Sequence, residues 1–203
     1  MKEATVLTEK FDRALLYATH VHGGQVRKET TVPYVAHLFA VAATVLEYGG
    51  GEDTAIAGLL HDAAEDQGGE ARLADIRNRF GAKVAGIVAS CSDSTADTAG
   101  GQQKEKWQIR KERYLRHLHA VDQDTLLVSL SDKVHNARSI LRDLRKHEIG
   151  PLVWERFNQP KDRTLWYYGQ LATTFMDLVP EQEEAGQLAR KLRDIVEALE
   201  SSK

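Results

Sequence analysis

Cysteine is nearly absent from this chain, since Cys91 is its only one. One thiol cannot form an internal disulfide bond, and the chain offers no Cys-x-x-Cys pair to hold zinc. The amino terminus also lacks a cationic start followed by an apolar stretch and a cleavage site, which argues against secretion. These absences predict a cytoplasmic protein.

Long apolar runs and an excess of one charge are missing too. The longest mostly apolar run, Leu38 to Leu46, is far shorter than the ~20 residues that a membrane-spanning helix needs. The net charge is only −3, which gives no general attraction to nucleic acid. We therefore expect neither a membrane nor a nucleic acid polymer as a partner.

Apolar residues recur at helical spacing along most of the 203 residues, and neither an alternating strand pattern nor an internal repeat is present. Glycine pairs, Pro33 and Pro151 separate the helical stretches. The segment from Ser92 to Gln103 is polar and small, which is typical of a mobile loop. The sequence predicts an all-α bundle of about eight to ten helices in one domain.

A cluster of polar residues stands in the apolar stretch from Leu59 to Asp66. A helical spacing of four places His61 beside Glu65 and Asp62 beside Asp66 on one helix face. Crowded acids repel one another and lose hydration, so a divalent cation would neutralise them. The alternative is a solvated, frayed helix end with ordinary surface charges.

Asp132 and His37 lie on the apolar faces of two other predicted helices. Asp132 is so close to the buried stripe of Leu130 that its carboxylate must be paired, capped or bound to metal. A salt bridge is the alternative there. His37 is either a metal ligand or a core histidine that is hydrogen-bonded to a carbonyl.

The order of His37, His61-Asp62 and Asp132 resembles the HD superfamily of metal-dependent phosphohydrolases. More narrowly, the chain is similar to the hydrolase domain of the RelA/SpoT proteins and to the single-domain small alarmone hydrolases of the metazoan SpoT homologue type. Four segments carry this resemblance, namely His22 to Lys28, Pro33 to His37, His61 to Asp66 and Leu130 to Asn136. One departure is the loop from Glu29 to Val32, which lacks the glycine usual before the Pro-Tyr step.

The resemblance implies one HD hydrolase domain over residues 1–203, with a motif core over about 10–145 and a helical extension over about 149–203. It implies a guanosine-3′,5′-bis(diphosphate) 3′-pyrophosphohydrolase, in which a metal-activated water releases pyrophosphate and GDP or GTP. The implied ligands of one divalent cation, expected to be Mn²⁺, are His37, His61, Asp62 and Asp132. The implied catalytic residues are Glu65 and Asp66.

The implied partner is a small nucleotide, bound by six polar side chains. These side chains are Arg27, Lys28, Lys104, Lys106, Lys133 and Asn136. Two other functions are weighed: an HD phosphohydrolase acting on another nucleotide such as (p)ppApp, and a non-catalytic, antitoxin-like nucleotide-binding protein. Glu65 and Asp66 favour an enzyme, because a sensor has no need of them. The choice of base, the physiological metal and a homo-oligomeric state stay open at this point.

Overall fold

Helices form the regular structure of the computed structural model, which describes residues 4–92 and 105–202. In these ranges there are ten α-helices and one 3₁₀ helix, and Val26 and Pro33 form an isolated β-bridge. The α-helices are α1 (Glu9–Val21), α2 (Val35–Glu47), α3 (Glu52–Leu60), α4 (Ala63–Asp66), α5 (Gly69–Phe80), α6 (Ala82–Cys91), α7 (Trp107–Leu118), α8 (Gln123–Leu144), α9 (Lys161–Leu178) and α10 (Glu184–Glu200). The 3₁₀ helix covers Gly150–Arg156. The all-α prediction is confirmed.

Side-chain caps fix the beginnings of α1 and α8. The Oγ1 atom of Thr8 accepts a hydrogen bond from the backbone N–H of Lys10, and threonine is a common residue at this cap position. Thr8 also donates from its backbone and its hydroxyl to the carboxylate of Glu52, which ties the start of α1 to the start of α3. Asp122 caps α8 by accepting from the backbone N–H of Thr125.

Helix α3 lies at the centre of the bundle. Every residue from Thr54 to Leu60 is buried, and α3 packs against α1, α2, α6 and α8. Because helices cover it on all sides, α3 keeps no face for charged side chains. The predicted amphipathic helix running on through Glu65 is therefore wrong. Instead α3 ends at Leu60, His61 and Asp62 form a turn, and the short helix α4 follows.

The carboxyl-terminal helices share the hydrophobic core of the rest of the chain. Helix α10 packs against both α8 and α9, and Leu171, Phe175, Leu188 and Leu192 are completely buried. One continuous cluster of buried apolar residues runs from Phe11 in α1 to Leu199 in α10. The boundary of the predicted extension, near residue 149, falls where α8 has ended and the 3₁₀ helix begins.

Within residues 4–92 and 105–202, no helix is both long enough and apolar enough to cross a bilayer.

Two glycines in this bundle give opposite predictions for stability. An added Cβ at Gly50, in the turn between α2 and α3, would lie 2.9 Å from the carbonyl oxygen of Val45. Gly50→Ala should therefore lower the free energy of unfolding by about 1–3 kcal/mol. At Gly86, within α6, nothing lies within 4 Å, so Gly86→Ala should raise that free energy by up to about 1 kcal/mol. Chemical denaturation measures both, and a Gly50→Ala protein of unchanged stability would contradict this prediction.

Candidate active site

The four predicted metal ligands meet at one point between α2, α8 and the turn that follows α3. The Nε2 atom of His37 lies 3.4 Å from Asp62 Oδ2 and 3.3 Å from Asp132 Oδ1. The Nε2 atom of His61 lies 3.0 Å and 3.7 Å from the same two oxygens. Ligand atoms of His37, His61 and Asp132 all lie within 4.8 Å of one another. The structure thus brings together two nitrogens and two carboxylates that are distant in sequence.

The hydrogen bond of His61 shows which of its two ring nitrogens is available to bind a metal ion. Its Nδ1 atom lies 2.8 Å from the carbonyl oxygen of Gly58, and a carbonyl only accepts, so Nδ1 carries the proton. In the neutral ring, Nε2 then presents a lone pair toward the carboxylates. The Nε2 atoms of His37 and His61 are both buried and make no hydrogen bond within the described residues. Two such nitrogens facing two carboxylates suit a divalent metal ion.

The electrostatics of the cluster demand a positive charge. Burial raises the pKa of Asp62, but the charge of His61 outweighs burial, and the pKa lies well below its usual value. Burial likewise opposes ionisation of Asp132, yet the ammonium of Lys133 holds its pKa well below the ordinary range. Burial lowers the pKa of His61, but the carboxylate of Asp62 outweighs burial and holds this pKa well above its normal value. A bound cation would meet the same demand.

Asp132 is held by two neighbours on α8. The Nζ atom of Lys133 lies 2.6 Å from Asp132 Oδ2, and the side-chain NH₂ of Asn136 donates a short hydrogen bond to Oδ1. The guanidinium of Arg27 in turn donates to Asn136 Oδ1 at 2.7 Å. These three predicted substrate-binding residues therefore surround a predicted metal ligand. The predicted roles of Lys133 and Asn136 in substrate binding stay predictions.

Two side chains that the sequence reasoning did not assign also touch the cluster. The hydroxyl of Tyr34 donates to Asp62 Oδ2 at 2.7 Å. The Nδ1 atom of His135 lies 2.7 Å from Nδ1 of His37, so one ring must donate to the other. Burial and the nearby His37 lower the pKa of His135 to about 4, which leaves it neutral and able to accept. Both residues stand within the quoted motif segments, yet nothing in their spacing separates them from core residues.

Glu65 and Asp66 lie in α4, one turn beyond the metal cluster. Glu65 is half-buried and lines the cleft that contains His37. Asp66 is exposed and accepts a hydrogen bond from the side-chain NH₂ of Gln25 at 2.9 Å. Although the helix breaks before them, both residues follow Asp62 within four positions, and their predicted catalytic roles stay predictions.

A cleft of about 620 Å³ opens from the cluster toward α7, the 3₁₀ helix and α9. Its basic lining consists of Arg27, Lys28, Arg110, Lys111, Lys133, Arg142 and Arg156. Its aromatic lining consists of Tyr34, Trp107, Phe157, Tyr167 and Tyr168. Burial preference favours a core role for the aromatic residues from Trp154 to Tyr168. Trp154 does pack against the core, whereas Tyr167 and Tyr168 are buried in the core and also line the cleft.

The remaining predicted residues lie at the edge of the site or away from it. The Nζ atom of Lys28 is 3.0 Å from Asn158 Oδ1, across the mouth of the cleft. Lys106 is exposed just before α7 and does not line the cleft, and Lys104 lies outside the described residues. In the loop that lacks the usual glycine, Glu29 adopts a φ of 55°, a left-handed conformation that favours glycine.

Comparisons with known proteins agree with this geometry. A guanosine-3′,5′-bis(diphosphate) 3′-pyrophosphohydrolase of Aquifex aeolicus is 34% identical over 149 residues, which are 72% of this chain and 20% of the relative. A GTP pyrophosphokinase of Myxococcus xanthus is 33% identical over 132 residues, which are 63% of this chain and 17% of that relative. The chain thus spans about a fifth of the length of these curated relatives.

A solved structure is similar over nearly the whole chain. It is described as a metazoan ortholog of SpoT that hydrolyzes ppGpp and plays a role in starvation responses. The two share 25% identity and a TM-score of 0.68, with 96% of this chain and 97% of that chain covered. The family model of the HD domain matches residues 14–155, which include all four predicted metal ligands. Because this match spans more than half of the sequence, the chain belongs to the HD domain family.

Proposed function

We propose that this protein is a metal-dependent 3′-pyrophosphohydrolase that converts guanosine 3′,5′-bis(diphosphate), or its 5′-triphosphate form, to GDP or GTP and pyrophosphate. The observation that carries the proposal is the meeting of two unpartnered imidazole nitrogens and two carboxylates at the end of a basic cleft. The names of the Aquifex aeolicus relative and of the metazoan SpoT ortholog describe the same chemistry.

The proposed metal ligands are His37, His61, Asp62 and Asp132, and the proposed metal is Mn²⁺. A ligand set of imidazole nitrogens and carboxylate oxygens suits a divalent cation of intermediate hardness. When bound, the cation would neutralise charge on phosphoryl oxygens and favour the ionisation of a water molecule. The hydrogen bond from His61 to Gly58 keeps the lone pair of Nε2 directed at this position.

Glu65 and Asp66 are the proposed proton-handling groups. Water attacks the phosphorus that is bonded to the ribose 3′-oxygen, the bond between them breaks, and the 3′-oxygen takes up a proton. The Glu65 carboxylate lines the cleft and accepts the proton of the water, while Asp66 assists the departing oxygen. Both groups lie one turn after Asp62, which keeps them close to the reacting phosphate.

The cleft suits a highly charged nucleotide. A volume of about 620 Å³ lies in the range of about 300–1,000 Å³ that small-molecule sites occupy. Arg27, next to Asn136, and Lys28, at the mouth of the cleft, would bind phosphate oxygens through charge-assisted hydrogen bonds. Arg142 and Arg156 also line the cleft and would bind the second diphosphate, and the aromatic rings offer surfaces for the base.

We further propose that residues 1–203 act as one catalytic unit located in the cytoplasm. The continuous hydrophobic core that joins α1 to α10 supports the first part. The presence of one cysteine, with no partner for a disulfide in the chain, supports the second.

The metal site can be tested by removing single ligands. Loss of an outer hydrogen-bond partner of a metal ligand weakens metal binding by up to about 100-fold. Loss of a ligand itself should cost more, so His61→Ala or Asp62→Ala should weaken manganese binding by more than about 100-fold. Turnover should disappear while the helical circular dichroism stays nearly intact. The matched control is His117→Ala, because His117 is exposed on α7. Unchanged metal content by elemental analysis would rule out the four-ligand site.

Catalysis can be separated from binding at α4. Glu65→Gln combined with Asp66→Asn should lower kcat by about 10²- to 10⁴-fold, because both proton-handling groups are lost. The metal content and KM of this double variant should stay close to the wild-type values. The control is Glu70→Gln, on the exposed side of α5, which should keep wild-type metal content and KM. Loss of the metal in the double variant would instead identify these carboxylates as ligands.

The products report where the substrate is cleaved. Incubation with a panel of 3′-pyrophosphorylated guanosine and adenosine nucleotides should give a nucleoside 5′-diphosphate or 5′-triphosphate and intact pyrophosphate, resolved by chromatography. Orthophosphate as the first product would indicate a phosphatase instead. Faster turnover of the adenosine nucleotides would favour the (p)ppApp alternative.

Arg27 provides a test of phosphate binding in the same cleft. Arg27→Ala should raise KM by about 10-fold or more, since a hydrogen bond to a charged group contributes about 1.5–3 kcal/mol. Arg145→Ala is the matched control, because Arg145 is exposed beyond the end of α8 and does not line the cleft. Wild-type KM and kcat in Arg27→Ala would exclude Arg27 from the binding site.

A further inference from the structure

A chain of hydrogen bonds links His22 through Gln25 to Asp66. The side-chain NH₂ of Gln25 donates to Asp66 Oδ2 at 2.9 Å. On the other side of the same amide, Gln25 Oε1 lies 2.8 Å from His22 Nδ1 and accepts from Gln67 Nε2 at 3.0 Å. His22 and Gln25 belong to the first motif segment, and the proposed reaction gives neither of them a role.

The direction of each hydrogen bond follows from the group at the end of the chain. A carboxylate oxygen accepts, so the amide of Gln25 must turn its NH₂ toward Asp66 and its oxygen away. That oxygen can only accept, and therefore His22 must carry its proton on Nδ1. Gln67 Nε2 donates to the same oxygen, and a flipped Gln25 amide would turn its oxygen toward the Asp66 carboxylate and lose that hydrogen bond.

Packing holds His22 in place. The side chain is buried, with 2% of the residue exposed, and its ring stacks on that of Tyr34 at a centroid distance of 5.3 Å and an angle of 18°. Burial lowers the pKa of His22, so the ring is neutral and has one N–H to give. The Nε2 atom is buried and has no hydrogen-bond partner within the described residues. Among the described residues, the hydrogen bond to Gln25 is therefore the only one that this ring makes.

We propose that His22 and Gln25 are positioning residues that hold the Asp66 carboxylate in its working orientation. This inference rests on the proposed function, in which Asp66 assists the departing oxygen. Asp66 is exposed and belongs to a four-residue helix, and the hydrogen bond from Gln25 joins its carboxylate to the segment before α2. Outer hydrogen-bond partners that orient working groups typically contribute about 10- to 100-fold in activity.

Two substitutions at His22 separate its ring nitrogens. An asparagine side chain places an N–H where Nδ1 stood, whereas a glutamine side chain places its amide where Nε2 stood. We therefore expect His22→Asn to keep kcat within about threefold of wild type and His22→Gln to lower kcat by about 10-fold or more. KM and manganese content should not change in either variant. The reverse order, with His22→Gln active and His22→Asn impaired, would overturn the proposal by showing that Nε2 is the functional atom.

Gln25→Met provides a second test that does not depend on replacing a buried ring. It keeps the approximate size of the side chain and removes both hydrogen-bonding groups, so kcat should fall by about 10-fold or more. In an Asp66→Asn background, Gln25→Met should cause no further loss, because its effect acts through Asp66. Equal losses in both backgrounds would indicate a general structural defect and overturn the proposal.

One measurement keeps this inference distinct from the proposed function. Long-range ¹H–¹⁵N NMR correlations of wild-type protein report which nitrogen of His22 is protonated, without any substrate. A proton on Nδ1 supports the hydrogen-bond chain, and a proton on Nε2 overturns it. Wild-type protein that is inactive on every 3′-pyrophosphorylated nucleotide would refute the proposed function, whereas an active wild type with a fully active His22→Gln variant would refute only the positioning role.

Discussion

The structure depends on one electrostatic requirement, namely that two carboxylates in a largely buried position need a positive charge between them. Asp62 and Asp132 approach the same pair of imidazole nitrogens, and both carboxylates have a pKa well below normal. Isolated charges at such a place would cost several kcal/mol. Lys133 compensates part of this charge from one side, and the position between the imidazoles remains for a cation. The surrounding helices supply the ligands from three separate segments of the chain.

Amide side chains hold a carboxylate on each side of this centre. Asn136 donates to Asp132, a predicted metal ligand, and Gln25 donates to Asp66, a predicted proton-handling group. In both cases the oxygen of the amide is held in turn by a further donor, which is Arg27 for Asn136 and Gln67 for Gln25. An amide whose two ends are both bonded is restricted in its orientation, and its NH₂ group stays directed at the carboxylate. The same arrangement therefore supports a predicted metal ligand and a predicted proton-handling group.

The sequence predicts the four metal ligands and the all-α class because the order of the motifs and the helical period can both be read without knowing which residues are in contact. It does not predict the break after Leu60, since burial of α3 on every side depends on where four other helices lie. Nor does it reveal Tyr34 and His135, whose roles arise only from approach within 2.7 Å across the fold. Gln25 and Gln67 are 42 residues apart, and nothing in either segment indicates that they meet.

The burial of α3 from Thr54 to Leu60 has a consequence for the motions of the protein. The backbone amides of this stretch should exchange with deuterium only when the helices that cover it open. The turn at His61 and Asp62 follows directly from this helix. Two predicted ligands should thereby be anchored to a slowly exchanging segment of the chain, whereas the amide of the exposed Asp66, in the four-residue helix α4, should exchange through local opening.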